Sequence, residues 1–436
     1  MKNIFVKLLT LMLACSLLLG FAACTTPPTK PIEGSESSSQ RDNTDVEPLG
    51  KSVDLMDGRI PSVVASRKAD DAFIKSQAEF GLLLFKKSID DEKNSLISPL
   101  SVMLALAMTA NGADSVTLEE MENVLGGDLT IDELNEYLHT YWSLLPSSEK
   151  AKLEIANSIW FRDDEAMIRV KDEFLQKNAD YYSASIYKSP FDDSTVKDIN
   201  GWVDEHTDGM IKEIIGEIDP LTVMYLINAI CFDAKWRAPY SEYSIYEGDF
   251  YGLSGTTTAE LMRSEENRYV EDENAVGFIK PYANGYSFMA ILPNDGMSLA
   301  DYIDTLEGDD LVQLYKNAVY HPVNATLPKF KYEYSVTLND VLKEMGMESA
   351  FRGGFSGIGE SSLGELFIDN VLHKTFIEVD NAGTRAAAVT AVEVATESME
   401  EPIVPKIVKL DRPFLYAIVD NATGLPIFIG TVNDIG

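Results

Sequence analysis

Two kinds of hydrophobic order stand side by side in NSLISPLSVMLALAMTANGADSVTLEEMENVL, residues 94–125. From Pro99 to Met108 almost every position is apolar, so no face is left for water; the pattern predicts a buried helix opened by Ser98-Pro99 and ended by Asn111-Gly112. After Thr117 the apolar positions recur every three or four residues, which predicts a second, amphipathic helix. A different pattern, rich in β-branched and aromatic residues, appears in LEIANSIWFR (153–162), TVMYLINAICFDAKW (222–236), YSFMAILPN (286–294), ATLPKFKYEYSV (325–336), LHKTFIEVD (372–380), PFLYAIVD (413–420) and GLPIFIGTV (424–432). These read as strands, several apolar for so long that both faces must be covered. Helical segments dominate the first half and strands the second, which predicts an α+β fold and not βαβ repeats.

The ends of the chain follow another logic. Lys2 and Lys7 precede the apolar run Leu8 to Phe21, which closes on Ala22-Ala23-Cys24. This predicts a signal peptide over 1–23, and small residues directly before Cys24 resemble a bacterial lipobox in which Cys24 carries the lipid. Residues 24–61, rich in Pro, Ser, Thr and acids, bury too little apolar area to order themselves and predict a flexible tether. Residues 62–436 have globular composition, with no further apolar run long enough to span a bilayer. Only Cys231 of the three cysteines lies in that part, so no internal disulfide framework is available.

A formal net charge of -34 argues against binding a phosphate backbone, which needs clustered Lys and Arg. The four histidines, His139, His206, His321 and His373, fit no metal-ligand spacing, and no P-loop, GxGxxG or GxSxG stands after a strand; GESSLG at 359–364 has the wrong order for a nucleophile elbow. The expectation is a protein that is not an enzyme and needs no cofactor or metal.

Seven blocks, NSLISPLSVMLALAMTANGA, LEIANSIWF, INGWVDEHTDGMIKEII, LINAICFDAKWRAPY, LPKFKYEYSVTLNDVLKEMGM, HKTFIEVDNAGTRAAAV and RPFLYAIVDNATGLPIFIGTV, occur in the order and spacing of serpins, so the globular part resembles that family. The resemblance implies about nine helices around three β-sheets, and an exposed reactive loop that inserts into the large sheet once a protease has cut it. The implied partner is a serine protease, held in a covalent complex and deformed; the inhibitor itself is expected to be a monomer on the outside of a bacterial cell, touching the membrane only through its lipid. The alternative is a non-inhibitory serpin-fold binding protein whose loop is merely a substrate.

The loop segment VDNAGTRAAAVTAVEVATESMEEP (379–402) can be read on its own terms. Insertion as a strand needs one parity of side chains to enter a core, since successive residues point to opposite faces. Thr384, Ala386, Ala388, Thr390, Val392 and Val394 are all small or β-branched, whereas Arg385 and Glu393 fall on the other parity. Gly383 reads as a pivot and Gly383, Thr384, Arg385, Ala386, Ala387 and Ala388 as the hinge. A new strand of about a dozen residues gains about ten backbone hydrogen bonds at roughly 0.5–1.5 kcal/mol each, which rivals ordinary domain stability.

By the resemblance, the scissile bond falls at Glu397-Ser398 within a window from Val394 to Met399, implying a glutamyl-specific protease, or an elastase-like one if Val394 or Thr396 precedes the cut. Ser98, Ser101, Asn228 and His373 match the shutter beneath the large sheet, Trp236 matches the breach where insertion starts, and Asn157 and Trp160 match a packing motif. Asn381 departs from the Glu usual in inhibitory members.

Overall fold

The computed structural model describes residues 50–435 apart from 91, 165–166, 220–221, 363 and 385–402. Among the described residues nine α-helices form: α1 (Asp71–Ser88), α2 (Pro99–Ala110), α3 (Ser115–Leu125), α4 (Ile131–Leu144), α5 (Asp172–Tyr182), α6 (Asp193–His206), α7 (Leu299–Thr305), α8 (Asp310–Asn317) and α9 (Asn339–Met345). Their starts follow from local chemistry. Ser98 caps α2 by accepting from the Ser101 N–H with Pro99 at the first helical position, Asp70 accepts from Phe73 at the head of α1, and Thr130 and Glu133 form a reciprocal capping box on α4. Every residue of α2 is buried, as its all-round apolar surface demands.

Among the described residues the strands make three sheets. The first has seven strands in the order β1 (Val53–Asp54), β5 (Ser185–Ser189), β3 (Ala151–Arg162), β6 (Met224–Lys235), β15 (Gly383–Thr384), β14 (Asn370–Val379) and β12 (Phe330–Thr337). The second runs β16 (Lys406–Lys409), β11 (Val319–Pro328), β8 (Gly255–Glu271), β9 (Ala275–Pro281), β10 (Tyr286–Pro293), β17 (Phe414–Asp420), β18 (Pro426–Val432) and β2 (Leu96–Ile97), with β7 (Ile245–Gly252) paired to β8. A two-stranded ribbon joins β4 (Arg169–Val170) to β13 (Gly359–Glu360). The strands read as covered on both faces are so: β10, β17 and β18 are buried at every position, while β12, at the edge, alternates.

The division into a helical half and a stranded half is less sharp than the sequence pattern predicts. β3, β5 and β6 from the first half share a sheet with β12 and β14 from the second, and α7 to α9 lie in the second half. Pairing is antiparallel except for β3 with β5, β6 with β14 and β11 with β16, so the α+β class holds. α2 packs between the two large sheets in the main core, with Met103, Leu226, Phe232, Phe288 and Phe428 among its members. On the opposite face of the seven-stranded sheet α6 covers a second cluster containing Trp160, Tyr187, Trp202 and Cys231.

The tether boundary at 61 needs correction, because residues 50–61 are docked. Val53 and Asp54 pair antiparallel with Lys188 and Tyr187 of β5; the Gly50 N–H (2.7 Å) and the Ser52 hydroxyl (2.5 Å) donate to the Asp198 carboxylate of α6; Arg59 pairs with Asp172 at 2.6 Å. Composition pointed the other way because this stretch buries little apolar surface. Backbone pairing at a sheet edge and charge-assisted hydrogen bonds hold it instead.

Candidate functional site

The seven-stranded sheet contains one seam unlike its neighbours. β3 and β6 pair antiparallel without a break from Ala151↔Ala234 to Phe161↔Met224. β6 and β14 pair parallel, and only from Asn370↔Tyr225 to Thr375↔Ile230. Beyond Thr375 the two strands part and β15 sits between them, antiparallel to both, with Thr384 opposite Val379 on one side and Ala234 on the other. A strand continuing downward from Thr384 would exchange one parallel ladder for two antiparallel ladders. Parallel pairing is the slightly weaker kind per residue.

Gly383 is required here by close approach and not by its backbone freedom. A Cβ on it would lie 2.1 Å from the Ala234 carbonyl oxygen, so the wedge tip must be glycine. Before it, Asp380 turns the chain: its carboxylate accepts from the Ala382 and Gly383 N–H groups at 2.7 and 3.0 Å. The turn is tied to β6 by Trp236, whose backbone N–H donates to the Ala382 carbonyl and whose indole N–H donates to the Asp380 carbonyl, both at 2.9 Å. The Tyr240 N–H donates to the carbonyl of Asn381.

Thr384 is buried and its hydroxyl meets the Tyr282 hydroxyl at 2.6 Å. Tyr282 stacks on Trp236 with ring centroids 4.4 Å apart, and burial pushes its phenol well up. Below them lies a buried ion pair: Lys280 Nζ is 2.7 Å from Glu266 Oε1 and 4.2 Å from the centre of the Tyr240 ring. The first residue of the inward parity therefore already faces a core lined by aromatic rings.

Lower in the seam the polar residues converge. His373 and Asn228 are register partners across it, and the imidazole Nδ1 bonds to Asn228 Oδ1. The other ring nitrogen, Nε2, accepts from the Ser98 N–H at 3.1 Å, so the proton resides on Nδ1 and the ring is neutral. Complete burial holds the His373 pKa down at about 3. The Asn228 amide donates to Ser101 Oγ and to Asn157 Oδ1, and Asn157 donates to the Ser101 carbonyl. One neutral network thus ties α2 to β3, β6 and β14.

Ser98, Ser101, Asn228 and His373 are brought together, and Trp236, Gly383 and Thr384 meet at the top of the same seam. Arg385, Ala386, Ala387, Ala388, the window Val394 to Met399 with Glu397 and Ser398, and Cys24 lie outside the described residues. Sequence reasoning gave Asn157 only a packing role, whereas it is a full member of the hydrogen-bonded set; its place beside Asn228 follows from the β3–β6 register, which no local pattern reveals. Trp160 does pack, stacked on Tyr187 at 4.4 Å. Lys280 and Glu266, on different strands, carried no signal beyond being charged residues in apolar strands. The remaining histidines are dispersed, each with Nδ1 bonded to a backbone carbonyl: His139 to Tyr181, His206 to Trp202 and His321 to Pro322.

Comparison with known proteins is consistent across the body. The family model described as Serpin (serine protease inhibitor) matches residues 75–435. A serpin-like protein of Thermococcus kodakarensis is 32% identical over 357 residues, covering 80% of this chain and 82% of its own length. A serine protease inhibitor of Cyanea capillata is 30% identical over 361 residues, 78% of this chain and 92% of the relative. Among solved structures, the thermophilic serpin tengpin in its native state is 52% identical with a TM-score of 0.85, covering 88% of this chain and 100% of that one; its latent state aligns with a TM-score of 0.76 at 53% identity, covering 85% and 100%.

Proposed function

The chain belongs to the serpin family of serine protease inhibitors, and on that premise we propose that it traps a serine protease as a suicide substrate, its cut loop entering the β6–β14 seam as a new strand. The observation that carries this reading is the wedge: Gly383 and Thr384 already occupy the first rung of an antiparallel strand between β6 and β14, with Thr384 turned inward. Cleavage beyond the hinge frees the segment after Thr384 to continue the rung. Insertion then replaces a short parallel ladder by two longer ones and drags the acyl-linked protease with it. That a relative sharing half its sequence is known in both a native and a latent state supports a fold with more than one accessible arrangement.

The residues around the wedge take roles within this reading. Trp236 and Tyr282 form the gate at the top of the seam, and Ser98, Ser101, Asn157, Asn228 and His373 form the latch that must part below it. The bond at Glu397-Ser398, within Val394 to Met399, offers a glutamyl-specific or elastase-like protease its substrate. Lipid on Cys24 and a spacer ending near residue 49 would hold the inhibitor, as a monomer, outside a bacterial cell. The second reading, a serpin-fold binding protein cut without trapping, draws on Asn381, whose side chain lacks the charge usual at that position.

Mixing the full chain with glutamyl-specific and elastase-like serine proteases tests this. The expected outcome is an SDS-stable complex of summed mass, and a cleaved form that melts above the intact one. Cleavage in the loop with no complex and no rise in melting temperature would select the substrate-only reading.

A further inference from the structure

Three consecutive carbonyls stand directly before Gly383, and each is held from the same short stretch of chain. The indole N–H of Trp236 donates to Asp380, the backbone N–H of Tyr240 to Asn381 and the backbone N–H of Trp236 to Ala382, all at 2.9 Å. The hinge thus has a stop behind it, as firm as Trp236 and Tyr240 are themselves.

What both rings rest on is a buried charge. Among the described residues Lys280 is the only buried lysine and Glu266 the only buried glutamate, 2% and 7% exposed. They come from β9 and β8 and meet at 2.7 Å. The ammonium lies 4.2 Å from the centre of the Tyr240 ring and 5.5 Å from that of Trp236, and the two rings meet edge to face at 86°. The chain that follows Lys280 is tied to the same stretch: the Arg237 N–H donates to the Pro281 carbonyl at 3.0 Å, and the Ala283 N–H to the Lys235 carbonyl at 2.8 Å. Between them Tyr282 stacks on Trp236 and meets the Thr384 hydroxyl.

Stability does not explain the pair. Drying two charges loses about as much as their attraction returns, and apolar residues of similar volume are often as stable or more so. What the pair adds is position. Glu266 fixes the ammonium, and the cation draws both ring faces toward one point, whereas an aliphatic side chain would fill the space without selecting their tilt.

We infer that Lys280, anchored by Glu266, is a positioning residue for loop insertion: it sets Trp236 and Tyr240 so that the carbonyls of 380–382 are gripped and the rung at Thr384 is in register when the loop is cut. The inference rests on the trapping reading above. After acylation, insertion races the attack of water on the ester, which returns the protease serine and leaves a free carboxylate on the loop. A first rung already in place removes an ordering step from the strand's side of that race. Without the pair the rung loosens, more acyl-enzyme is hydrolysed before insertion, and the chain turns from trap toward substrate.

The test is Lys280→Met combined with Glu266→Leu, which removes both charges and leaves neither unpaired. The melting temperature should match or exceed that of the wild type. Hydrogen exchange in the uncut full chain, read on the peptide from Trp236 to Tyr240, should quicken about tenfold, the size of a desolvated cation–π contact, while peptides of β17 and β18 exchange as before. With a glutamyl-specific or elastase-like protease, the rate of loop cleavage should be unchanged and the fraction trapped should fall several-fold. Ile279→Val, a neighbouring core change in β9, should move neither. Unchanged exchange in the double variant, an equal response to Ile279→Val, or faster exchange with an undiminished fraction trapped would each overturn the inference. Failure of the wild type to trap any protease would overturn the trapping reading, and with it the part of Lys280 in insertion, whatever the exchange rates.

Discussion

The two seams that flank β6 are built from the same strand and opposite principles. On one side β3 joins it antiparallel along its whole length, with Ile155 opposite Ile230, Ala156 opposite Ala229 and Ile159 opposite Leu226. On the other side β14 joins it parallel and briefly, a His–Asn hydrogen bond crosses between the strands, and a further rung already separates the upper ends. A sheet asked to open at one place and nowhere else needs such a contrast. The long antiparallel ladder loses much when it parts, while the short parallel ladder, slightly weaker per residue, can be replaced by something better.

The contrast can be broken most severely at Thr384. Thr384→Arg puts a charge where Tyr282 and Trp236 leave no solvent, and the expected result is loss of the SDS-stable complex with loop cleavage intact, together with a cleaved form that melts no higher than the uncut protein. If the complex survives, insertion does not run through this rung.

His373→Ala leaves the Asn228 oxygen and the Ser98 N–H unpaired beside a small void and should cost about 2–4 kcal/mol. It should also speed spontaneous loss of inhibitory activity at the working temperature. Ile159→Val, on the other side of β6, should cost about 0.5–1.5 kcal/mol and leave that rate nearly unchanged. Equal effects of the two on inactivation would erase the distinction between the seams.

Acid sharpens the same point. The buried, neutral His373 has a folded-state pKa near 3 against an ordinary value of 6.5. A depressed folded pKa means that its stabilisation is complete above pH 6.5 and is lost as pH falls toward 3, at about 1.4 kcal/mol per pH unit for one group. Denaturant midpoints between pH 7 and pH 4 should fall with that dependence in the wild type and with a shallower one in His373→Gln. The mildest prediction concerns the opposite edge of the sheet: Asp198→Ala removes the acceptor for Gly50 and Ser52, should cost about 1–2 kcal/mol, and should expose the chain near residue 52 to limited proteolysis.

Much of this arrangement could be read from the chain itself, and the failures share a cause. Thr384 is inward because period-two alternation is a local rule, and the same holds for the α2 cap at Ser98-Pro99 and the buried runs of β17 and β18. Ser98, Ser101, Asn228 and His373, which the fold joins in one hydrogen-bonded set, were grouped by resemblance. Asn157 was not, because its partners Ser101 and Asn228 are set by register over long separations. The docked residues 50–61 escaped notice for a related reason: their acceptor, Asp198, is an ordinary exposed-looking acid in sequence, and only the fold shows it accepting three hydrogen bonds from Gly50 and Ser52, just before β1. The steric need for Gly383 also came out differently, as a contact with Ala234 and not as a flexible joint.

The Lys280–Glu266 pair behind Trp236 has a thermal consequence. Hydration of charged groups carries a strongly negative entropy, so the free energy lost by drying such a pair shrinks on heating, while the gain from apolar burial levels off. The floor beneath the gate should therefore soften less with temperature than the hydrocarbon around it, leaving the lower latch, with its single neutral imidazole, as the part of the seam that heat releases first.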